Sequence, residues 1–459
     1  MASFVKNQNN TSVSIPNVEL NPQGVAMYNI SVKVSDVTWF VQHRYSDFVD
    51  LHKKLVEDHS VAKDALPPKK VIGNKDPQFL EKRRFGLENY LKMLISFLQR
   101  TMPQELVVFL DFHKYDTLFL LNELASDLFH HGDLYLSSSK SFTLDSLQLH
   151  AISERLKQPC SSLEIQGKMQ DFSHILDFCS QLKTLHVQNC EEFVGRSSIK
   201  YNSLPFDLTI FKSLEKLCLT NVIVSNIFSV GSLRTSLKSL HVNNCRVTLM
   251  SEFLLCDEMH KNLETVNSAH VWKDLIEVDF SRNNISSIGN AVLLIPNAEK
   301  LILADNKIFD LGNMTVLSHL RVLNLSGNCL SDKSIENLHQ KIGKIVSLSM
   351  AQNSLQSLED FSKLYALESL DVGSNSIKDI KKVEQISSLP CLDYLVLTGN
   401  PVATIVDYRI KVFELFGDRA QDLCLDNEKP TQKELDTAAV LKALRIAKEG
   451  RSPIFSPPS

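Results

Sequence analysis

The sequence predicts two folded regions in series, an α+β domain followed by an α/β solenoid of short repeats with a C-terminal cap. The first 115 residues contain three strand-like segments and then a long amphipathic helix. From about residue 159, six strings fit L-x-x-L-x-L-x-x-N-x-L, and their asparagines recur every 22 to 25 residues. A chain of 459 residues is also long enough for two or three domains.

The composition is typical of a globular intracellular protein. Hydrophobic residues make up 43% of the chain and charged residues 22%. The net charge of -4 provides no overall basic field, so we expect no nucleic-acid partner. The opening MASFVKNQNNTS lacks the apolar stretch of a signal peptide, and no apolar run is long enough to span a bilayer. Nine cysteines without a C-x-x-C pair favour a reducing cytoplasm, with neither disulfides nor a metal site.

The first domain is predicted over residues 1–116. The segments VSIPNVEL, MYNISVKV and VTWFVQH alternate as strands, and a helix follows from near Ser46. After the proline corner LPPKK, residues 76–99 form a long helix, and ELVVFLDFH adds a short final helix. The buried face of the long helix is expected to contain Phe79, Leu87, Tyr90, Leu91, Leu94 and Leu98.

A helical linker is predicted over residues 117–158 and leucine-rich repeats over residues 159–402. Each repeat should add one short strand to a shared parallel sheet. The asparagine should satisfy buried backbone groups at the turn that leaves the strand, so its role is structural. The framework asparagines are Asn283, Asn306, Asn328, Asn353, Asn375 and Asn400, and three looser copies have Cys190, Val222 and Cys245 there.

The open end of the repeats needs a cover, and residues 403–449 are predicted to supply it as a cap and a helix. This segment is similar to the cap of a subclass of leucine-rich-repeat proteins. The similarity rests on Asn400-Pro401, Tyr408-Arg409, Val412 and the closing Leu423-Cys424-Leu425-Asp426. Residues 450–459 are predicted to be a disordered tail.

Three motifs of the first domain resemble the phox-homology (PX) domain: RYSDF at 44–48, LPPKKVIG at 66–73 and EKRRFGLENYL at 81–91. The resemblance implies binding of phosphatidylinositol 3-phosphate. It assigns the 3-phosphate to Arg44, whose guanidinium suits paired hydrogen bonds to phosphate oxygens. It places Tyr45 beneath the inositol ring and Arg83 at the 4- and 5-hydroxyls.

The proline loop completes the implied site. By the same resemblance, Lys69, with Lys70 as an alternative, meets the phosphate that joins inositol to glycerol. Val71 and Ile72 follow the two lysines. Two interpretations of this apolar pair stay open, insertion into the bilayer and packing in the core.

A PX domain joined to leucine-rich repeats resembles one family in particular. The resemblance extends through HILDFCSQLKTL, LPFDLTIFKSL, LPCLDYLVLTGNPV, DYRIKVFELFGDRA and KELDTAAVLKALRIAKE. It implies a signalling scaffold, cytoplasmic and peripheral on early or recycling endosomes, that restrains Rac and p21-activated kinase signalling in cell migration. Members have also been proposed as imidazoline receptors. The long C-terminal region that the family associates with integrin binding is not matched, so integrin contact is not expected.

Catalytic signatures such as G-x-x-x-x-G-K-S/T, H-E-x-x-H and G-x-S-x-G are absent from the sequence, so we expect a binding protein and not an enzyme. Two binding functions remain, a lipid-targeted scaffold and a sorting-nexin-like endosomal trafficking factor. The absence of a long heptad run favours the scaffold. Its partner should dock on the strand faces of the repeats, where the candidate residues are Lys183, His186, His241, Asp279 and Asp371.

Overall fold

The computed structural model describes residues 1–69, 76–138, 141–158, 168–190, 192–255 and 268–448. The predicted contacts of Lys70, Val71 and Ile72, and the predicted tail, lie outside these ranges. Two compact units divide the chain. The first comprises Met1–Leu214 with Asn226–Phe228, and the second comprises Glu215–Ser225 with the chain from Ser229 onwards. Within the described ranges, every helix is too short or too polar to cross a membrane.

The first unit opens with a three-stranded antiparallel sheet in the order β1-β2-β3. Its strands are β1 (Thr11–Leu20), β2 (Ala26–Val34) and β3 (Val37–Arg44), which confirms the three predicted strands. Alternate residues of β2 are buried, as expected for a strand with one face against a core. Trp39 of β3 is fully buried and donates a hydrogen bond from Nε1 to the Leu110 carbonyl at 2.7 Å.

The helices of this domain follow the predicted order with one difference. The segment ELVVFLDFH forms two short helices instead of one, because Asp111 has a positive φ of 55° that interrupts the helical backbone. At the start of the long helix, Asp76 accepts a hydrogen bond from the Phe79 amide and Pro77 occupies the first turn. The helices are α1 (Tyr45–His59), α2 (Pro77–Phe97), α3 (Gln104–Phe109) and α4 (Phe112–Tyr115).

The rest of the first unit packs against this domain. Helix α5 buries Leu120, Leu121 and Leu124, and Phe119 contacts the rings of Phe4 and Phe112. The elements are α5 (Thr117–Ser137), β4 (Phe142–Leu144), α6 (Ser146–Leu156), α7 (Ser173–Gln181), β5 (Thr184–Gln188), β6 (Phe206–Asp207) and, in a later segment, β8 (Ile227–Phe228). Strand β4 pairs in parallel with β5, and β6 pairs with β8.

A loop of the first unit covers part of the edge of β3. The Phe40 amide donates to the Arg196 carbonyl at 3.0 Å, and the Ser198 amide donates to the Thr38 carbonyl at 2.8 Å. An exposed strand edge presents backbone groups without hydrogen-bond partners. This contact satisfies such groups on β3, and the first domain would expose them if it were cut off after residue 116.

The second unit is a parallel solenoid. Its strands are β7 (Lys216–Thr220), β9 (Ser239–Asn243), β10 (Glu277–Asp279), β11 (Lys300–Ile302), β12 (Val322–Asn324), β13 (Ser347–Ser349), β14 (Ser369–Asp371), β15 (Tyr394–Val396) and β16 (Cys424–Leu425). Each pairs in register with its neighbour, so that the central apolar residues stack directly across the sheet. The α/β solenoid predicted from the repeat is therefore present.

The framework asparagines do what the sequence predicts. Asn306 donates from Nδ2 to the Phe280 carbonyl of the preceding repeat at 2.9 Å and accepts from the Ile285 amide at 3.0 Å. Asn328, Asn353, Asn375 and Asn400 repeat the same pattern. In a looser repeat, the Cys245 thiol contacts the Leu219 carbonyl at 3.7 Å, a weaker version of the same bond.

Three short helices lie between the strands, and two longer ones close the solenoid. They are α8 (Ser251–Leu254), α9 (Leu338–Ile342) and α10 (Ile380–Ser387), then α11 (Tyr408–Phe416) and α12 (Gln432–Lys448). Arg409 connects the two closing helices through Nε to Glu434 Oε1 at 2.7 Å, and its Nη1 donates to the Leu425 carbonyl at 3.0 Å. The last strand and the last helix are thereby fixed to each other.

Candidate functional site

Arg44 occupies the corner between β3 and α1. It is the last residue of the strand and directly precedes the helix. Its backbone amide donates to Oδ2 of Asp47 at 3.0 Å, and its Nε donates to Oδ1 of Asp47 at 2.9 Å. Partial burial opposes ionisation of Asp47, but these bonds prevail and lower its pKa. The side chain of Arg44 is nevertheless 60% exposed and accessible to a ligand.

Tyr45 begins α1 and joins it to the proline loop. Its hydroxyl donates to the Pro67 carbonyl at 2.5 Å. The ring is half-buried, and this burial raises the pKa of the hydroxyl although the charge of Arg83 opposes the rise. The Tyr45 side chain is thus held by the α1 backbone at one end and by Pro67 at the other.

The close approach of α2 to the same loop needs Gly86, since a Cβ there would lie 2.8 Å from Pro67 Cγ.

Arg83 projects from α2 onto the ring of Tyr45. Its guanidinium carbon lies 4.3 Å from the ring centre of Tyr45 and 4.3 Å from that of Phe79. Only 8% of Arg83 is exposed, and within the described part of the chain its Nε and Nη2 make no hydrogen bond. Stacking on two rings compensates part of the cost of burying this cation. These two nitrogens are buried, and Arg83 is held in place by the two aromatic rings.

Tyr28 lies beside Arg83, and its hydroxyl is buried. Burial raises the pKa of Tyr28, and both the charge of Arg83 and a hydrogen bond with the Arg83 side chain oppose this rise. Tyr28 and Arg83 therefore interact inside the domain.

The structure brings two of the predicted lipid contacts, Tyr45 and Arg83, into contact, and Arg44 directly precedes Tyr45 at the end of β3. For Lys69 it shows an exposed residue two positions after Pro67, on the loop that receives the Tyr45 hydroxyl. Sequence reasoning missed the contact of Asp47 with Arg44 and took Phe79 only for a core residue. The three-residue spacing of Arg44 and Asp47 was the available signal.

The strand face of the solenoid presents a network of opposite charges. His241 lies 3.5 Å from both Glu277 and Asp279, and Lys300 Nζ lies 2.6 Å from Glu277 Oε1. Partial burial opposes ionisation of Glu277, but hydrogen bonds from Lys300 and Ser239 hold its pKa at about 2. Lys300 was not among the predicted residues. Because Lys300 pairs with Glu277, this part of the face is not simply acidic.

The remaining predicted partner-binding residues lie apart from that network. Asp371 accepts from the Ser349 hydroxyl at 3.1 Å and the Gly373 amide at 3.0 Å, and no cation of the described chain pairs with it. In the first unit, Lys183 is exposed just before β5, and His186 lies within β5. Burial lowers the pKa of His186, so it is mainly neutral at pH 7.

Residues 31–113 match the PX domain family. These bounds contain Arg44, Tyr45, Lys69 and Arg83, so the described site lies within a domain of that type. One curated relative is the serine/threonine-protein kinase 11-interacting protein of Gallus gallus, 27% identical over 335 residues. The match covers 69% of this chain but only 30% of that protein.

Two further proteins match the PX region alone. The kinesin-like protein KIF16B of Homo sapiens is 41% identical over 88 residues, which cover 18% of this chain and 7% of the kinesin. The X-ray structure of a designed CISK-PX domain is 40% identical and covers 22% of this chain and 97% of its own, with a TM-score of 0.20. The chain thus spans less than a third of the length of the two curated relatives.

Proposed function

We propose that this chain is a phosphoinositide-targeted signalling scaffold. Its PX domain binds phosphatidylinositol 3-phosphate on endosomal membranes, and its repeats bind a partner protein. The observation that carries the proposal is the stacking of Arg83 on Tyr45, directly beside the exposed Arg44 at the end of β3. We assign the chain a binding role and no catalytic step.

The chemistry of each side chain supports a 3-phosphorylated inositol. Arg44 offers an exposed guanidinium, which binds a phosphate group through paired, charge-assisted hydrogen bonds. Tyr45 offers a fixed ring on which the sugar ring can rest. Arg83, stacked between two rings, has N–H groups without partners that suit the neutral 4- and 5-hydroxyls.

The proposed partner and pathway rest on resemblance. A PX domain followed by leucine-rich repeats resembles nischarin, the imidazoline receptor antisera-selected protein. On that basis we propose that this chain restrains Rac and p21-activated kinase signalling in cell migration from early or recycling endosomes. The imidazoline-receptor role rests on the same resemblance alone.

The substitution Arg44→Gln in the full chain tests the lipid function. Vesicles of phosphatidylcholine with a few per cent phosphatidylinositol 3-phosphate serve as the probe in a co-sedimentation titration. A charge-assisted hydrogen bond contributes about 1.5 to 3 kcal/mol, so the affinity should fall about tenfold to a hundredfold.

A matched control removes the same charge elsewhere. Arg100 is exposed just beyond the C-terminal end of α2, about 20 Å along the helix from Gly86, where α2 meets the proline loop. Arg100→Gln should leave binding within about twofold of the unsubstituted chain, since an exposed charge at that distance is largely screened. Equal binding by the Arg44→Gln and Arg100→Gln variants would refute the lipid site.

A further inference from the structure

Asp47 contacts Arg44 in a way that goes beyond capping a helix. Each of its carboxylate oxygens accepts one hydrogen bond from Arg44, Oδ2 from the backbone amide and Oδ1 from Nε. With Nε engaged, the terminal nitrogens Nη1 and Nη2 have no partner in the described ranges. The pairing therefore fixes the guanidinium at one edge and leaves its other donors to a ligand.

The imidazole of His43 packs beside the Asp47 carboxylate, with His43 Nδ1 3.5 Å from Asp47 Oδ2. The ring position is fixed, since Nε2 donates to the Phe109 carbonyl at 2.7 Å and the ring stacks on Phe109 with centres 3.9 Å apart. The restraint on the Arg44 side chain comes from its own hydrogen bond to Asp47.

We propose that Asp47 is a positioning residue of the lipid site, which holds the Arg44 guanidinium in the orientation that receives the phosphate group. This inference rests on the proposed function. Long exposed side chains lose rotamer freedom when they bind a ligand, and a neighbour that restrains them beforehand removes part of that cost. Asp47 therefore raises the affinity for an anionic lipid although it carries a negative charge.

The direction in which binding changes when Asp47 is neutralised separates positioning from simple electrostatics. On charge alone, removal of an acidic residue beside the site strengthens binding to an anionic membrane. If the carboxylate merely competed with the phosphate for Arg44, its removal would also strengthen binding. Of these three roles, positioning alone makes the neutral variant bind more weakly.

The experiment compares two neutralising substitutions in the full chain, Asp47→Asn and Asp50→Asn. Asp50 lies on the same helix, is exposed, and makes no contact with Arg44. With vesicles of phosphatidylcholine and phosphatidylinositol 3-phosphate, Asp50→Asn should bind as well as the unsubstituted chain or slightly better. Asp47→Asn should bind about threefold to tenfold more weakly, the range expected when one long side chain loses its restraint.

Repeating the Asp47→Asn substitution in a chain that carries Arg44→Lys tests whether the role of Asp47 is purely structural. Arg44→Lys keeps the positive charge but carries its three N–H donors on one nitrogen, so it lacks the separate edges with which a guanidinium meets Asp47 and the phosphate group. In that background the weakening caused by Asp47→Asn should disappear. A loss of helix capping would instead weaken binding equally in both backgrounds, and thermal unfolding of each variant would report it directly.

The results that would overturn the positioning role of Asp47 differ from those that would overturn the proposed lipid function. If Asp47→Asn binds as tightly as Asp50→Asn while Arg44→Gln loses binding, the lipid site stands and the positioning role is wrong. If Arg44→Gln itself binds like the unsubstituted chain, the proposed function fails. An equal effect of Asp47→Asn in the Arg44 and Arg44→Lys backgrounds also overturns the positioning role.

Discussion

The guanidinium of Arg83 lies 4.3 Å from the ring centre of Tyr45, and the Tyr45 hydroxyl donates in turn to the Pro67 carbonyl. These two contacts connect α1, α2 and the proline loop, which are far apart in the sequence. The site is therefore assembled by tertiary contacts before any ligand binds, which reduces the ordering cost of binding.

Arg83→Met should weaken lipid binding without lowering the melting temperature. The affinity for phosphatidylinositol 3-phosphate should fall about tenfold or more, because a charged hydrogen-bond donor to the ligand is lost. The melting temperature should stay the same or rise, because an apolar side chain replaces a buried cation with two unsatisfied N–H groups. Vesicle co-sedimentation and thermal unfolding of the full chain measure the two effects.

The neighbouring Arg84 is the matched control for Arg83. It pairs with Glu81 and Glu88 and donates to the Ile15 carbonyl, so it connects α2 to β1. Arg84→Met should lower the melting temperature and change the lipid affinity less than Arg83→Met. A larger loss of stability for Arg83→Met than for Arg84→Met would show that Arg83 is a structural residue.

Asp116 should make stability depend on pH. It is fully buried, and burial raises its pKa to about 7 although the amides of Phe4 and Leu118 donate to it. Its unfolded pKa is about 3.9. Since the folded value is the higher one, the stabilising contribution is complete below about pH 4 and is lost as the pH rises through about 7.

Asp116→Asn removes this titration. The change in melting temperature between pH 5 and pH 8 should therefore be smaller in the variant than in the unsubstituted chain. Asp133→Asn, an exposed position on α5, is the control and should leave the change as it was. An unaltered pH profile in Asp116→Asn would mean that Asp116 stays ionised throughout this range.

Two glycines with nearly equal backbone angles allow a matched test of packing in the first unit. Gly195 has φ +52°, and a Cβ there would lie 2.5 Å from the Tyr115 hydroxyl oxygen. Gly289 in the second unit has φ +55°, but the nearest atom to its Cβ would be 4.0 Å away. Gly289→Ala should lower the free energy of unfolding by about 1 to 2 kcal/mol, the cost of the left-handed backbone.

Gly195→Ala should lower the free energy of unfolding by the same amount as Gly289→Ala. Because Tyr115 must also move, it should lower that free energy by about 1 to 3 kcal/mol more. Urea unfolding followed by circular dichroism gives both values. Equal costs for the two substitutions would show that Tyr115 moves aside freely, and that the loop from 193 to 200 is not tightly packed on the PX domain.

The partner surface can be tested with two charge reversals on the solenoid. Asp371→Lys should weaken co-precipitation of a basic partner and lower the melting temperature less than Asp279→Lys does, since Asp371 accepts two hydrogen bonds but pairs with no cation of the described chain. Asp279→Lys should lower the melting temperature, because Asp279 accepts from Asn243 and Ser281 and lies against His241. Unchanged partner binding by a folded Asp371→Lys variant would exclude Asp371 from the interface.

Local and periodic features were predictable from the sequence. The corner at Arg44 lies between a strand and a helix that adjoin in the chain. The asparagines of the repeats recur at a fixed spacing, so one bonding pattern accounts for all of them. Arg83 was assigned through the resemblance of EKRRFGLENYL to the PX domain, a motif that lies within one helix.

Contacts between distant segments were not predictable. The stacking of Arg83 on Tyr45 depends on how α1 and α2 pack, which a helical period does not specify. The contact of Thr38 with Ser198 joins residues 160 positions apart. The pairing of Glu277 with Lys300 follows from the register of two neighbouring strands, which the repeat pattern does not assign to particular side chains.

The central claim is that the Arg44 site recognises a phosphate at the 3-position of inositol. The most direct measurement is the binding of the full chain to two sets of vesicles, one with phosphatidylinositol 3-phosphate and one with the 4-phosphate. The two lipids carry the same charge, so a preference reports the position of the phosphate and not the membrane field. We expect at least tenfold tighter binding to the 3-phosphate, and loss of that preference in Arg44→Gln. Equal binding to the two isomers by the unsubstituted chain would contradict the claim.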